Sequence, residues 1–200
     1  MRHFRLDRVL FIPSGHPPHK VDDHLTPFPH RFAMVSLACA GNPRFVPSLL
    51  EPPRRDGHLY YSIDTVRMAK SQLRTADKLY FLIGLDAFLD LPHWKNHRGL
   101  LNLVDFVVVS RPGFRIDQIL EVIPPAIRKS QNSKLRKGTV RLKHSTLHIL
   151  AGVDVPAASR EIREAIENGQ TVKGLLPPLV EEYVIKQEVY PRKRGKMPLR

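Results

Sequence analysis

Apolar residues in this chain fall into short continuous runs, separated by longer stretches in which they recur every three or four positions. The runs lie at residues 8–12, 44–49, 78–83, 105–109 and 146–150, with a weaker one at 139–142. They are rich in β-branched and aromatic residues and mostly lack polar alternation. That pattern predicts strands covered by helices on both faces, as in a parallel sheet. Between the runs, 30–40 carries Phe32, Val35, Leu37 and Ala40, and 63–73 carries Ile63, Val66, Met68, Ala69 and Leu73. This spacing gives each stretch one apolar helical stripe to pack on the sheet. Ser159 precedes Ile162, Ala165 and Ile166, and Gly169 follows, which predicts a helix with a serine N-cap and a glycine at its C-terminal end. A last helix is predicted over 178–187. Strand and helix alternate along most of the chain, so an α/β class is expected, with a small helical part over 151–190.

Composition narrows this picture. With 200 residues, 42% of them hydrophobic, the chain can close one sizeable core, so a single domain over 1–190 is expected. The longest apolar stretches, Val9-Leu10-Phe11-Ile12 and Phe106-Val107-Val108-Val109, fall far short of the roughly 20 residues a membrane span needs. Charged residues among the first seven positions interrupt any secretory signal, so a cytoplasmic location is expected. The single cysteine, Cys39, can form no internal disulfide and no thiolate cluster, and its apolar helical surroundings predict burial.

The net charge of +13 would ordinarily suggest a polyanionic partner. The excess is local, however. Arg128, Lys129, Lys134, Arg136, Lys137, Arg141 and Lys143 occupy one stretch without a carboxylate, and the tail over 191–200 adds Arg192, Lys193, Arg194, Lys196 and Arg200. The rest of the chain is close to neutral, which disfavours nucleic acid as a required partner. The basic tail is expected to be disordered.

Four segments carry candidate chemistry. Phe11 to Lys20 leaves a strand and enters a proline-rich loop with His16, His19 and Lys20, where ligands of open α/β sheets bind; a solvated turn fits equally well. A zinc site from His16, His19, His24 and His30 is disfavoured because no ligand spacing repeats. Tyr60-Tyr61-Ser62-Ile63-Asp64-Thr65 opens a helix, and by itself it reads most simply as a cap made by Asp64 or Ser62. Phe81-Leu82-Ile83-Gly84-Leu85-Asp86 ends a strand in glycine with a carboxylate two residues on, a pattern suited to ribose hydroxyls but weak alone. Trp94, the one tryptophan, follows shortly after; its face suits a pyridine ring or the core. Ala158-Ser159-Arg160-Glu161-Ile162-Arg163 joins a helix start to guanidinium groups, which makes an anion site or an ordinary cap.

Taken in order, the motifs PPHK, HRFAM, YYSIDT, FLIGLDAF, LPHW, SRPG and SREIR resemble those of bacterial nicotinate-nucleotide adenylyltransferases over nearly all of residues 7–190. The resemblance implies a Rossmann-like doubly wound parallel sheet with helices on both faces. It implies adenylyl transfer from Mg2+-bound ATP to nicotinate mononucleotide, releasing pyrophosphate and forming nicotinate adenine dinucleotide for NAD synthesis. By similarity, His19, Lys20, Gly84, Asp86, Arg111, Ser159 and Arg163 face ATP and its phosphates. Tyr61, Ser62, Asp64, Thr65 and Trp94 face nicotinate mononucleotide. No protein metal ligand is implied, and a homo-oligomer is compatible with the resemblance.

The chain departs from the family in two places. The opening strand, glycine-rich turn and His-x-Gly-His motif have no counterpart, with Met1 falling where the family's first helix would be ending. A truncated, poorly stable and nearly inactive product is therefore expected, with no catalytic residue assigned. The family's Ile-Ser-Ser-Thr run is reduced to Ala157-Ala158-Ser159-Arg160. Competing readings are a phosphopantetheine-type adenylyltransferase, disfavoured by YYSIDT, Trp94 and chain length, and a noncatalytic nucleotide-binding or RNA-associated relative.

Overall fold

A computed structural model describes residues 3–18, 25–110, 118–129, 138–152 and 158–192. The chain divides into two compact units, one of Met1–Leu59 with Pro156–Arg200 and the other of Tyr60–Val155.

In the first unit, β1 (Val9–Phe11) and β2 (Phe45–Pro47) form a parallel pair with Val9 opposite Phe45. Parallel strands need a crossover, and α1 (Phe28–Cys39) supplies it. Its start is set by proline: Pro27 occupies the N-cap and Pro29 lies in the first turn, where an absent N–H costs nothing. Cys39 is buried as expected, and burial pushes its thiol pKa up, away from reactivity. The C-terminal segment contributes α6 (Ser159–Glu167) and α7 (Pro178–Lys186). Helix α7 buries Val180 and Val184, one turn apart, and packs on α1. There the Tyr183 hydroxyl lies 2.9 Å from His30 Nδ1, and the Thr26 hydroxyl donates to the Tyr190 oxygen at 3.3 Å. Gly169, at φ +71, closes α6: its N–H donates to Ile166 O, and the Gln170 N–H to Ala165 O. The predicted serine cap is corrected. Ala158 holds the N-cap position and Ser159 is the first helical residue, while the Glu161 carboxylate reaches back to the Ala158 N–H at 3.4 Å.

The second unit holds a four-stranded sheet in the order β3 (Tyr80–Gly84), β4 (Asp105–Val109), β6 (Thr146–Leu150), β5 (Thr139–Arg141). The first three run parallel, and β5 pairs antiparallel with β6. Helix α2 (Ser62–Ser71) precedes β3. Three short helices follow: α3 (Leu85–Leu89), α4 (His97–Leu103) and α5 (Gln118–Val122). The core gathers Ile63, Leu85, Phe88, Leu91, Leu100, Leu101, Phe106, Val108, Ile119, Ile123 and Leu147, all essentially inaccessible. Each such side chain contributes about 1.5–3 kcal/mol through burial. Several polar groups at the rim are matched. Asp105 Oδ1 accepts the Thr146 N–H at 2.7 Å, Ser145 Oγ donates to Leu101 O, and Lys70 Nζ donates to Leu103 O at 2.9 Å. The Arg128 guanidinium donates to Leu120 O and Ile123 O and so caps α5.

Double-faced burial of the strands holds only for β4, whose Phe106, Val107 and Val108 are all buried. Strand β3 is an edge, and its Leu82 is 61% exposed; β1, in a two-stranded sheet, leaves Leu10 and Phe11 partly exposed. An apolar run encodes affinity for a sheet, whereas the number of covered faces depends on the strand's position in it. No described helix is long and apolar enough to cross a membrane.

Candidate functional site

In the second unit the carboxyl ends of the parallel strands lie in register, with Gly84 beside Val109 and Val109 beside Leu150. Just beyond, the buried Ser110 donates its N–H to Leu150 O at 3.0 Å. Open α/β sheets bind ligands beyond these ends. Gly84 ends β3 and is the N-cap of α3, with an ordinary φ of −70°. Its role is close approach: a Cβ there would lie 2.6 Å from Asp86 Oδ1. The Asp86 carboxylate thus folds over the strand end and stays exposed, able to accept hydroxyl hydrogen bonds.

Beside this edge, α2 begins at Ser62 with Tyr61 in the N-cap position and no side-chain cap hydrogen bond. The capping expected of Asp64 or Ser62 is therefore replaced. Asp64 Oδ1 takes Arg67 at 3.2 Å and Oδ2 takes Lys95 Nζ at 3.1 Å. Lys95 Nζ also lies 4.2 Å from the centroid of the Tyr61 ring, a cation–π contact. The buried Thr65 turns its hydroxyl back to Tyr61 O at 3.3 Å and so serves the helix backbone. Trp94 is half-buried against the core edge, its ring 6.4 Å from that of Phe81 in an edge-on arrangement. Asp90 orients the indole, accepting the Trp94 Nε1–H at 3.3 Å on Oδ2, while Oδ1 lies 2.9 Å from His93 Nδ1. Tyr61 and Asp64 are thus joined through Lys95, the residue next to Trp94. His97, at the start of α4, has its pKa lowered by burial and further by the Arg98 charge.

In the first unit, the turn after β1 is clamped. Gly15 N–H donates to Glu51 O at 2.7 Å, and Arg31 donates to Ser14 O, Gly15 O and Thr26 O. Burial lowers the Arg31 pKa without removing its charge. A Cβ on Gly15 would fall 2.5 Å from Pro53 N, so only glycine fits against this backbone. His16 Nε2 lies 3.2 Å from Arg54 O. At the start of α6, Ser159 is exposed and Arg163 half-buried, and the Glu161 carboxylate over the first turn offsets part of the positive helix end. His19, Lys20 and Arg111 lie outside the described residues, as does His24.

Four contributors escaped the sequence reading: Lys95, Asp90, Gly15 and Arg31. Asp90 was within reach, since positions i+3 and i+4 of a helical turn hold His93 and Trp94. Lys95 meets Asp64 across 31 residues and Arg31 meets Ser14 across 17, and no local spacing signals either pair.

A family profile described as cytidylyltransferase-like matches residues 1–164. A Geotalea daltonii protein named "Probable nicotinate-nucleotide adenylyltransferase" is 38% identical over 188 residues, covering 92% of this chain and 85% of that protein. A protein of the same name from Thermoanaerobacter sp. is 36% identical over 187 residues, covering 94% and 82%. The solved Plasmodium falciparum nicotinic acid mononucleotide adenylyltransferase, complexed with NaAD, superposes with a TM-score of 0.68 over 94% of this chain and 84% of that one. At 17% identity, that likeness concerns the fold. With sequence relatives spanning nearly the whole chain and a shared fold, this chain belongs to the cytidylyltransferase-like family and, within it, to the nicotinate-nucleotide adenylyltransferases.

Proposed function

We propose that this chain transfers the adenylyl group of ATP to nicotinate mononucleotide, forming nicotinate adenine dinucleotide and pyrophosphate in NAD biosynthesis. The observation that carries the reading is the Tyr61–Asp64–Lys95–Trp94 group, aromatic and cationic together, on the same unit as the Gly84–Asp86 strand end. An aromatic face with a cation beside it suits a pyridine ring bearing a negative charge. Tyr61, Ser62, Asp64, Thr65 and Trp94 are assigned to that nucleotide. Gly84 and Asp86 are assigned to the adenosine, with His19, Lys20, Arg111, Ser159 and Arg163 on the phosphates.

The phosphate oxygen of nicotinate mononucleotide attacks the α-phosphorus in line, the bond from that phosphorus to the α,β-bridging oxygen breaks, and pyrophosphate leaves with the electron pair. No protein nucleophile is required. The chain supplies positioning and neutralisation of charge, which is most of what such transfer needs. Among the described residues no three histidine, cysteine or carboxylate groups converge to cage a metal. Magnesium held by the substrate phosphates would offset triphosphate charge. The cytosol is the compartment proposed for the reaction.

The test is to incubate the purified chain with ATP, magnesium and either nicotinate mononucleotide or phosphopantetheine. Chromatography of the dinucleotide and a pyrophosphate assay follow the products. Slow formation of nicotinate adenine dinucleotide is expected, because the sequence contains no His-x-Gly-His. Product from phosphopantetheine alone, or from neither, would overturn the proposal.

A further inference from the structure

The surroundings of Tyr61 carry an unbalanced positive charge. Asp64 is shared between two cations, Arg67 at 3.2 Å on one oxygen and Lys95 at 3.1 Å on the other. One carboxylate against two cations leaves the cluster at a net charge of about +1. An ammonium group has three donors. On Lys95 one is engaged by Asp64 and the π-face of Tyr61 takes up another direction, leaving one donor for a ligand. The neighbouring residue is Trp94, whose indole is held by Asp90 and Phe81. Asp64 and Tyr61 thus hold the ammonium at a fixed height over an aromatic ring beside an oriented indole.

We propose that Lys95 Nζ receives the ring carboxylate of the pyridine nucleotide and is the residue that favours the acid form over the carboxamide. This rests on the reading of the Tyr61–Trp94 region as the pyridine-nucleotide site. The ammonium assists a hydrogen bond to either acceptor, and only the carboxylate adds to it the attraction between two full opposite charges. The pairing with Asp64 does not cancel this selectivity, because Arg67 neutralises that carboxylate from its other oxygen while the remaining Lys95 donor stays open to the ligand.

Trp94 provides the probe, since it is the only tryptophan in the chain. Quenching of its fluorescence would be titrated with nicotinate mononucleotide and with nicotinamide mononucleotide, using the full chain, K95M and K95R. Turnover of both nucleotides with ATP would be measured in parallel. The unaltered chain is expected to bind and turn over the acid at least about tenfold better than the amide, near the low end of the attraction between opposite charges in contact at a protein surface. K95M is expected to bring that ratio close to one by weakening the acid alone, with the KM for ATP unchanged, and K95R to keep most of it. Lys95 is exposed, so K95M should fold, and its melting curve checks this. An unchanged acid-to-amide ratio in folded K95M would overturn the role of Lys95 while leaving the proposed function standing. No quenching and no turnover with either nucleotide in the unaltered chain would overturn both.

Discussion

Replacing Gly15 with alanine should destabilise the first unit by about 1–3.5 kcal/mol, because the added methyl has no room. An ideal Cβ on Gly15 lies 2.5 Å from Pro53 N, 2.7 Å from the Pro52 carbonyl carbon and 2.8 Å from Glu51 O. All three are backbone atoms, and two belong to prolines, whose fixed φ resists displacement. Overpacking of this kind costs about 1–3 kcal/mol. Separating the strands of the turn also stretches the 2.7 Å hydrogen bond from Gly15 N–H to Glu51 O, a loss of about 1 kcal/mol. The smaller unfolded-state entropy of alanine returns about 0.4–1 kcal/mol. For a chain of this size the net effect lowers the melting temperature by roughly 2–14 °C. Gly84→Ala is the companion. Its Cβ would meet only Asp86 Oδ1, at 2.6 Å, and a side-chain carboxylate can swing away. Gly84→Ala should therefore cost under about 1 kcal/mol in stability, yet raise the KM for ATP by displacing Asp86. Calorimetric melting of both variants, with ATP kinetics, checks the pair. A Gly15→Ala protein that melts within a degree or so of the original, or a Gly84→Ala protein less stable than it, would refute the steric argument.

Three further outcomes are expected. Trp94→Ala should raise the KM for nicotinate mononucleotide far more than that for ATP, and Asp90→Ala should do so more weakly by freeing the indole that it holds at 3.3 Å; steady-state kinetics with each substrate varied would show equal effects if Trp94 only covers core. Arg163→Ala should weaken inhibition by pyrophosphate with stability within about 1 kcal/mol, and a large melting shift with unchanged inhibition would count against a phosphate role. His97 has its pKa lowered by burial below the ordinary 6.5, so the unfolded chain takes up this proton first on acidification. Its contribution to stability is present above about pH 6.5 and is lost as pH falls towards the lowered value; melting against pH should show a slope there that His97→Gln flattens.

Local pattern determined much of the secondary structure. The runs read at 105–109 and 146–150 match β4 and β6 residue for residue, and α1, α2, α6 and α7 lie within two residues of their predicted bounds at most ends. Periodicity and capping chemistry are carried by neighbours in the chain, so they can be read without the fold. Helices α3, α4 and α5 were not legible, because five to seven residues are too few to display a period. Only tertiary packing shows that Leu100, Leu101 and Ile119 belong to the core. Strand coverage was misjudged for the same reason, since Leu82 in an apolar run and Phe106 in another differ by sheet position and not by local sequence. In the candidate site, motif resemblance singled out Tyr61, Asp64 and Trp94, while the ion pair that joins Asp64 to Lys95 spans 31 residues. Likewise, the crowding that makes Gly15 irreplaceable comes from Glu51, Pro52 and Pro53. A residue's type states what it can bind, but which charge it meets is decided by the path of the backbone between them, and that path is a property of the folded chain.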